Sequence, residues 1–164
     1  MSIKIKKYPK EQDVQFQIKG NKLFGDDLIL ILTNISDIRN TTFLQKEVFL
    51  LWKEYLYEQS ADLSYFPYHF GPYSYVIQRF SEYLEKLGMI KIKKMSKTVH
   101  RYIITKKGRD YIQQRMKNFK IDMDSIKAAK DSWDEHGNTG MLRQVYKDYP
   151  QYTSLTKRPS LKWY

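Results

Sequence analysis

Val76, Ile77, Phe80, Tyr83, Leu84 and Leu87 lie at i, i+1, i+4, i+7, i+8 and i+11, which places them in one apolar stripe on one helix. Gly88 follows at once and suits the left-handed position that ends a helix. The chain then alternates. Ile90 and Ile92 are interleaved with Lys91 and Lys93, and Tyr102 and Ile104 with Arg101 and Ile103. Two runs of period two, separated by the polar stretch KKMSKT, predict an antiparallel hairpin with one apolar face and a solvated tip. A helix locked to a basic hairpin leaves few options for the rest of a 164-residue chain.

The flanking segments supply further helices. Asp26 and Asp27 favour a helix start, and Leu28, Ile29, Ile31, Leu32 and Ile35 predict a mostly buried first helix. A second is predicted from about Phe43 to Glu58, with Phe43, Leu44, Val48, Leu51, Trp52 and Tyr55 on its apolar face and Thr41 or Thr42 as N-cap. Pro67, Gly71 and Pro72 forbid a helix through the aromatic loop 61–74, where Tyr65, Phe66, Tyr68 and Phe70 suggest a short strand and packing roles. The striped helix is predicted over 73–87. Thr105 caps the next, which carries Tyr111, Ile112, Arg115 and Phe119. Two more are expected, over 120–136 with Asp124 as N-cap and over about 139–149, ended by Pro150. The fold class is therefore mainly α with a small antiparallel β-hairpin. The order of helices and hairpin is that of a winged helix-turn-helix with an N-terminal arm and a C-terminal helical extension. The divisions expected are a basic arm over 1–25, the winged-helix domain over 26–119, C-terminal helices over 120–152 and a basic, flexible tail over 153–164.

Charge is distributed unevenly. Of the net +11, residues 63–120 hold 13 basic and 3 acidic side chains, whereas residues 21–62 are net negative. Excess charge confined to one segment points to a polyanionic partner. Eight cations fall within 19 residues, namely Lys91, Lys93, Lys94, Lys97, Arg101, Lys106, Lys107 and Arg109, with no carboxylate between the first and the last. Lysine also protects edge strands, so a merely solvated basic face is the competing explanation. Lys106 and Lys107 stand at a helix N-terminus, where cations are disfavoured unless an anion is bound. On the helix 73–87, Ser74, Tyr75, Gln78 and Arg79 are the base-facing candidates, because glutamine pairs with adenine and arginine with guanine in a major groove about 12 Å wide.

Four stretches resemble one family: FLQKEVFLLW (Phe43 to Trp52), FGPYS (Phe70 to Ser74), YIITKKG (Tyr102 to Gly108) and VYKDYPQYT (Val145 to Thr153). Together they look like the YwgA-like winged-helix proteins of bacteria and archaea, over roughly residues 26–153. The resemblance implies the winged-helix fold and says little about function.

The functional expectation is a transcriptional regulator that binds double-stranded DNA, with helix 73–87 in the major groove and the wing 89–104 on the backbone. The alternative is a protein-interaction module of antitoxin or adaptor type, motivated by Tyr146, Tyr149 and Tyr152; the same C-terminal helices offer a homodimer seam. Catalysis is not expected. His69, His100 and His136 are isolated, there is no cysteine, and no phosphate loop or nucleophile motif occurs. No metal or cofactor is expected. With no apolar run near 18 residues and no apolar signal core, the expected location is the cytoplasm, without membrane contact.

Overall fold

Five apolar residues in a row, Leu28 to Leu32, have no exposed surface at all. A helix apolar on every side must be surrounded, and helix α1 (Gly25–Ile35) is the centre of the molecule. The computed structural model describes residues 21–159. The expected basic arm lies outside the described residues except for its last few. There Leu23 is fully buried and pairs with the chain at Ser60. Asp27 reaches back to accept the Phe24 N–H at 2.9 Å, which closes the first turn of α1.

After α1, Ile38 forms an isolated antiparallel bridge with Tyr102, donating and accepting at 3.0 and 2.8 Å. Helix α2 (Thr41–Leu51) follows. Its N-cap is Asn40, whose side chain accepts from Phe43 N at 2.9 Å, rather than Thr41 or Thr42. The expected helix to Glu58 also changes pitch. Trp52–Leu56 is a π-turn and Tyr57–Gln59 a 3₁₀ turn. The wider turn takes Tyr55 off the apolar stripe, leaving it 38% exposed.

The aromatic loop forms its own two-stranded sheet, β1 (Phe66–Tyr68) with β2 (Gly71–Tyr73), antiparallel with Pro67 opposite Pro72. Each proline sits where no neighbouring strand needs its missing N–H. Gly71 takes φ +89°, and a Cβ there would lie 3.0 Å from the Tyr146 ring. Helix α3 (Tyr75–Lys86) buries Ile77, Phe80 and Leu84 against α1. Gly88, at φ +76°, lets Met89 N bond back to Leu84 O at 2.8 Å and so stops the helix.

Strands β3 (Ile90–Lys94) and β4 (His100–Ile104) form the expected hairpin, with Ile90 opposite Ile104 and Ile92 opposite Tyr102 on the inner face. Because Ile38 pairs with Tyr102, β4 is bonded on both sides and β3 is the outer strand. Glu85 covers part of that edge by accepting from Ile92 N at 3.1 Å. Thr105 then caps α4 (Lys106–Met116). The capping hydroxyl also donates to Gly88 O at 2.6 Å, and Thr105 N donates to Met89 O at 3.0 Å. This packs the first turn of α4 so tightly on Met89 that a Cβ at Gly108 would lie 2.1 Å from the Met89 carbonyl oxygen. Gly108→Ala is therefore expected to destabilise the protein by about 3 kcal/mol, since only backbone movement relieves the clash. Chemical denaturation would measure it; a loss below about 0.5 kcal/mol would contradict the packing described.

Helix α5 (Met123–Asp148) is capped by Asp122, through Ser125 N at 3.2 Å, and not by Asp124. It bends at Gly137, where φ is +72°, so the two expected C-terminal helices are its two halves. Ile126, Trp133, Met141, Leu142, Val145 and Tyr146 are all buried, and α5 packs along α2. The C-terminal helices are therefore part of the same core as the first four. Residues 153–159 of the tail expected to be flexible cross to the β1–β2 turn, where Lys157 N bonds to His69 O at 2.7 Å. Residues 160–164 lie outside the described residues. No helix among the described residues is long and apolar enough to cross a membrane.

Candidate nucleic-acid interface

The start of α3 is fixed by a side-chain clamp. Gln45, buried on α2, donates to Ser74 O at 2.9 Å and accepts from Ser74 N at 2.8 Å. The Ser74 hydroxyl donates to Leu63 O at 2.6 Å while accepting from Ile77 N at 3.3 Å. Tyr65 OH in turn donates to Gln45 O at 2.8 Å. The LQK and GPYS stretches are thus two halves of one joint, 29 residues apart in sequence. Pairing both groups of one backbone unit with a single amide leaves no polar atom stranded, which suits a site without solvent.

This joint removes Ser74 from the base-facing candidates. Its side chain is fully buried and committed to the cap, so it cannot reach a base edge. Gln78 is half-buried, its Oε1 shielded from solvent, and its amide bears on the Tyr102 hydroxyl along with Thr41. Burial raises the Tyr102 pKa more than these contacts lower it. The exposed stripe of α3 instead reads Tyr75, Arg79, Glu82 and Lys86 at helical spacing. Tyr75 is 55% exposed, and Arg79 pairs with Glu82 at 3.2 Å. Of the four candidates, Tyr75 and Arg79 therefore present the accessible groups.

The eight cations divide into two sets. Lys91, Lys93, Lys94 and Lys97 are exposed, and none has a hydrogen bond or ion pair among the described residues. The other four have partners. Arg101 lies 3.7 Å from Asp37, and Arg109 donates to Asn34 Oδ1 at 3.0 Å. Lys106 pairs with Asp110 at 2.8 Å. Lys107 donates to Leu87 O at 2.8 Å, which places its charge at the C-terminal end of α3, where a cation is favourable. The two lysines at the start of α4 therefore have an intramolecular reason to be there and do not themselves require an anion. In register, Lys93 faces Arg101 on the outer face of the hairpin, with Lys91 opposite Ile103. The tip is not wholly polar: Met95 is 50% and Val99 37% exposed.

Beside Tyr75 the structure shows a feature that a core role for the loop aromatics did not anticipate. Phe66, Tyr68, Tyr73 and Tyr75 form a cluster with centroids 5.1–6.4 Å apart, half open to solvent next to the start of α3. The period-two alternation was visible in the sequence, but with prolines on both strands it did not reveal which face would be covered. By contrast, Tyr146, Tyr149 and Tyr152, the residues that suggested a partner surface, are engaged within the chain. Tyr149 and Tyr152 both pack edge-on against Phe49, at 5.0 and 4.9 Å, and Tyr149 OH donates to Glu54 at 2.8 Å. Tyr146 is buried with its hydroxyl on Thr156. These side chains already pack on α2 and the tail, which gives no support to a homodimer seam built on them.

Neither a protein-family model, a characterised protein nor a solved structure matched the chain.

Proposed function

We propose that this chain is a winged-helix protein that binds double-stranded DNA, with α3 entering the major groove and the β3–β4 hairpin lying on the adjacent backbone. The observation that carries this reading is the set of four exposed lysines on the hairpin, Lys91, Lys93, Lys94 and Lys97, which have no partner among the described residues, while the cations around them do. Four unneutralised charges on one short ribbon repel one another, and phosphates relieve that repulsion. The order α1, Ile38 bridge, α2, α3, β3, β4 supports the winged-helix assignment, with Ile38 as the short strand that pairs with β4. The likeness to YwgA-like proteins belongs to the same proposal. A role in transcription follows from specific DNA binding, for which Tyr75 and Arg79 are the reading side chains.

Fluorescence anisotropy on a mixed-sequence duplex tests the reading. Affinity should fall with salt, at about −0.9 in the log–log slope for each phosphate contact. Changing Lys93, Lys94 and Lys97 to glutamate should weaken every sequence alike, by at least about tenfold, and flatten the slope by roughly 3. Arg79→Ala should alter preference among sequences instead. Absence of salt-dependent binding at low ionic strength would overturn the proposal.

A further inference from the structure

Lys46 is an unusual lysine. It is 2% exposed, and it has no hydrogen bond or ion pair among the described residues. Its side chain runs beneath the β1–β2 turn, with Cε 3.8 Å from where a Gly71 side chain would begin. There it lines a cavity of about 290 Å³, walled by Thr42, Tyr68, His69, Phe70 and Tyr73. Burial alone drives the ammonium pKa from 10.5 down to about 7. Burying an ammonium with no counter-charge costs several kcal/mol, so its retention calls for an explanation.

We propose that this cavity is a binding site for a small aromatic monocarboxylate, with Lys46 as the counter-ion and the tyrosine and phenylalanine rings holding the apolar body. The size sets the ligand class, since the cavity is at the lower end for small-molecule sites and holds about one ring. The charge sets the rest. A single buried cation balances one negative charge, and the other walls are mainly aromatic, with His69 as the other basic side chain that lines the cavity. The cavity also opens beside the first turn of α2, which includes Thr41 and Thr42, and the helix dipole there favours an anion. Gln45 lines the same cavity and holds Ser74, so an occupant would sit directly against the joint that positions α3.

The site stands apart from DNA binding, because occupancy is read on the protein alone. Benzoate is the probe. Calorimetry on the full chain should show one site with a Kd of about 1 mM or tighter, and benzyl alcohol, which has the ring without the charge, should bind at least about tenfold more weakly. Lys46→Met should lose benzoate binding to a similar extent, while its melting curve reports that the fold is kept. Inorganic phosphate should not compete. The proposal is overturned if benzoate fails to bind, if benzyl alcohol or the Lys46→Met protein binds equally well, or if phosphate displaces the probe.

Discussion

Replacing Lys130 by methionine is expected to destabilise the protein by about 3–5 kcal/mol, whereas Glu47→Gln should cost less than about 1.5 kcal/mol. Lys130 and Glu47 have fully buried side chains and Asp134 is partly buried, which places two carboxyl groups around one ammonium. An ammonium has three protons to donate. Those of Lys130 go to Ser36 Oγ at 2.9 Å, Asp37 O at 3.1 Å and Asp134 Oδ2 at 2.8 Å. Glu47 Oε1 lies at 3.4 Å and receives none. Burial first, and the neighbouring Asp134 second, push the Glu47 carboxyl well above the usual carboxylate range. Burial works against the Asp134 anion too, but the bonds from Glu47 and Lys130 outweigh it and hold that group below its ordinary value. The neutral form of Glu47 is therefore favoured, beside an Asp134 anion that Lys130 neutralises. Glutamine can replace a neutral acid there, while methionine at 130 leaves a partly buried anion unpaired. Urea denaturation followed by tryptophan fluorescence would measure both. Equal losses for the two variants would show that Glu47 is ionised.

Lys46→Met is expected to act in the opposite direction, stabilising the protein at neutral pH by about 2–4 kcal/mol. In the unfolded chain Lys46 binds its proton below 10.5, but in the folded protein only below about 7, because burial disfavours the charged form. Between these values the unfolded state carries one more proton, so wild-type stability should rise as pH rises from 7 towards 10. The penalty is complete below pH 7 and relieved at high pH. The window closes near pH 10, where unfolded tyrosines ionise and buried ones such as Tyr65, raised by burial, do not. The gain from Lys46→Met should therefore shrink steadily over this interval. Melting temperatures of both proteins across the window would show it, and parallel curves would mean that Lys46 is not the titrating group.

Local pattern carried most of the elements. The stripe from Val76 to Leu87, the glycine at 88 and the alternation around Ile90 and Tyr102 depend on one helix face or one strand face each, and these were found where expected. Caps were harder to place. Asn40 competed with Thr41 and Thr42, and Asp122 with Asp124, because several acceptors lie within a residue or two and the first turn's geometry selects among them. The π-turn at Trp52–Leu56 leaves no mark in the apolar spacing, which assigns Tyr55 to the buried face although it is exposed.

The candidate site shows the same division. A run of eight cations can be counted along the chain, and with it the excess charge of the hairpin and the absence of nearby carboxylates in sequence. Which of those cations remain available depends on residues far away in the chain: Asp37 beside Arg101, Asn34 on Arg109, and the Leu87 carbonyl on Lys107. Ser74 likewise looks exposed on a helical wheel until Gln45 encloses it. Lys46 and Lys130 differ in no local respect from a surface lysine; their burial is created by the β1–β2 turn above one and by α2 and α5 closing over the other. Periodicity reports short-range geometry, because each side chain's direction follows from its own backbone. Burial and charge pairing are decided by contacts between distant segments, and so they emerge only when the helices pack.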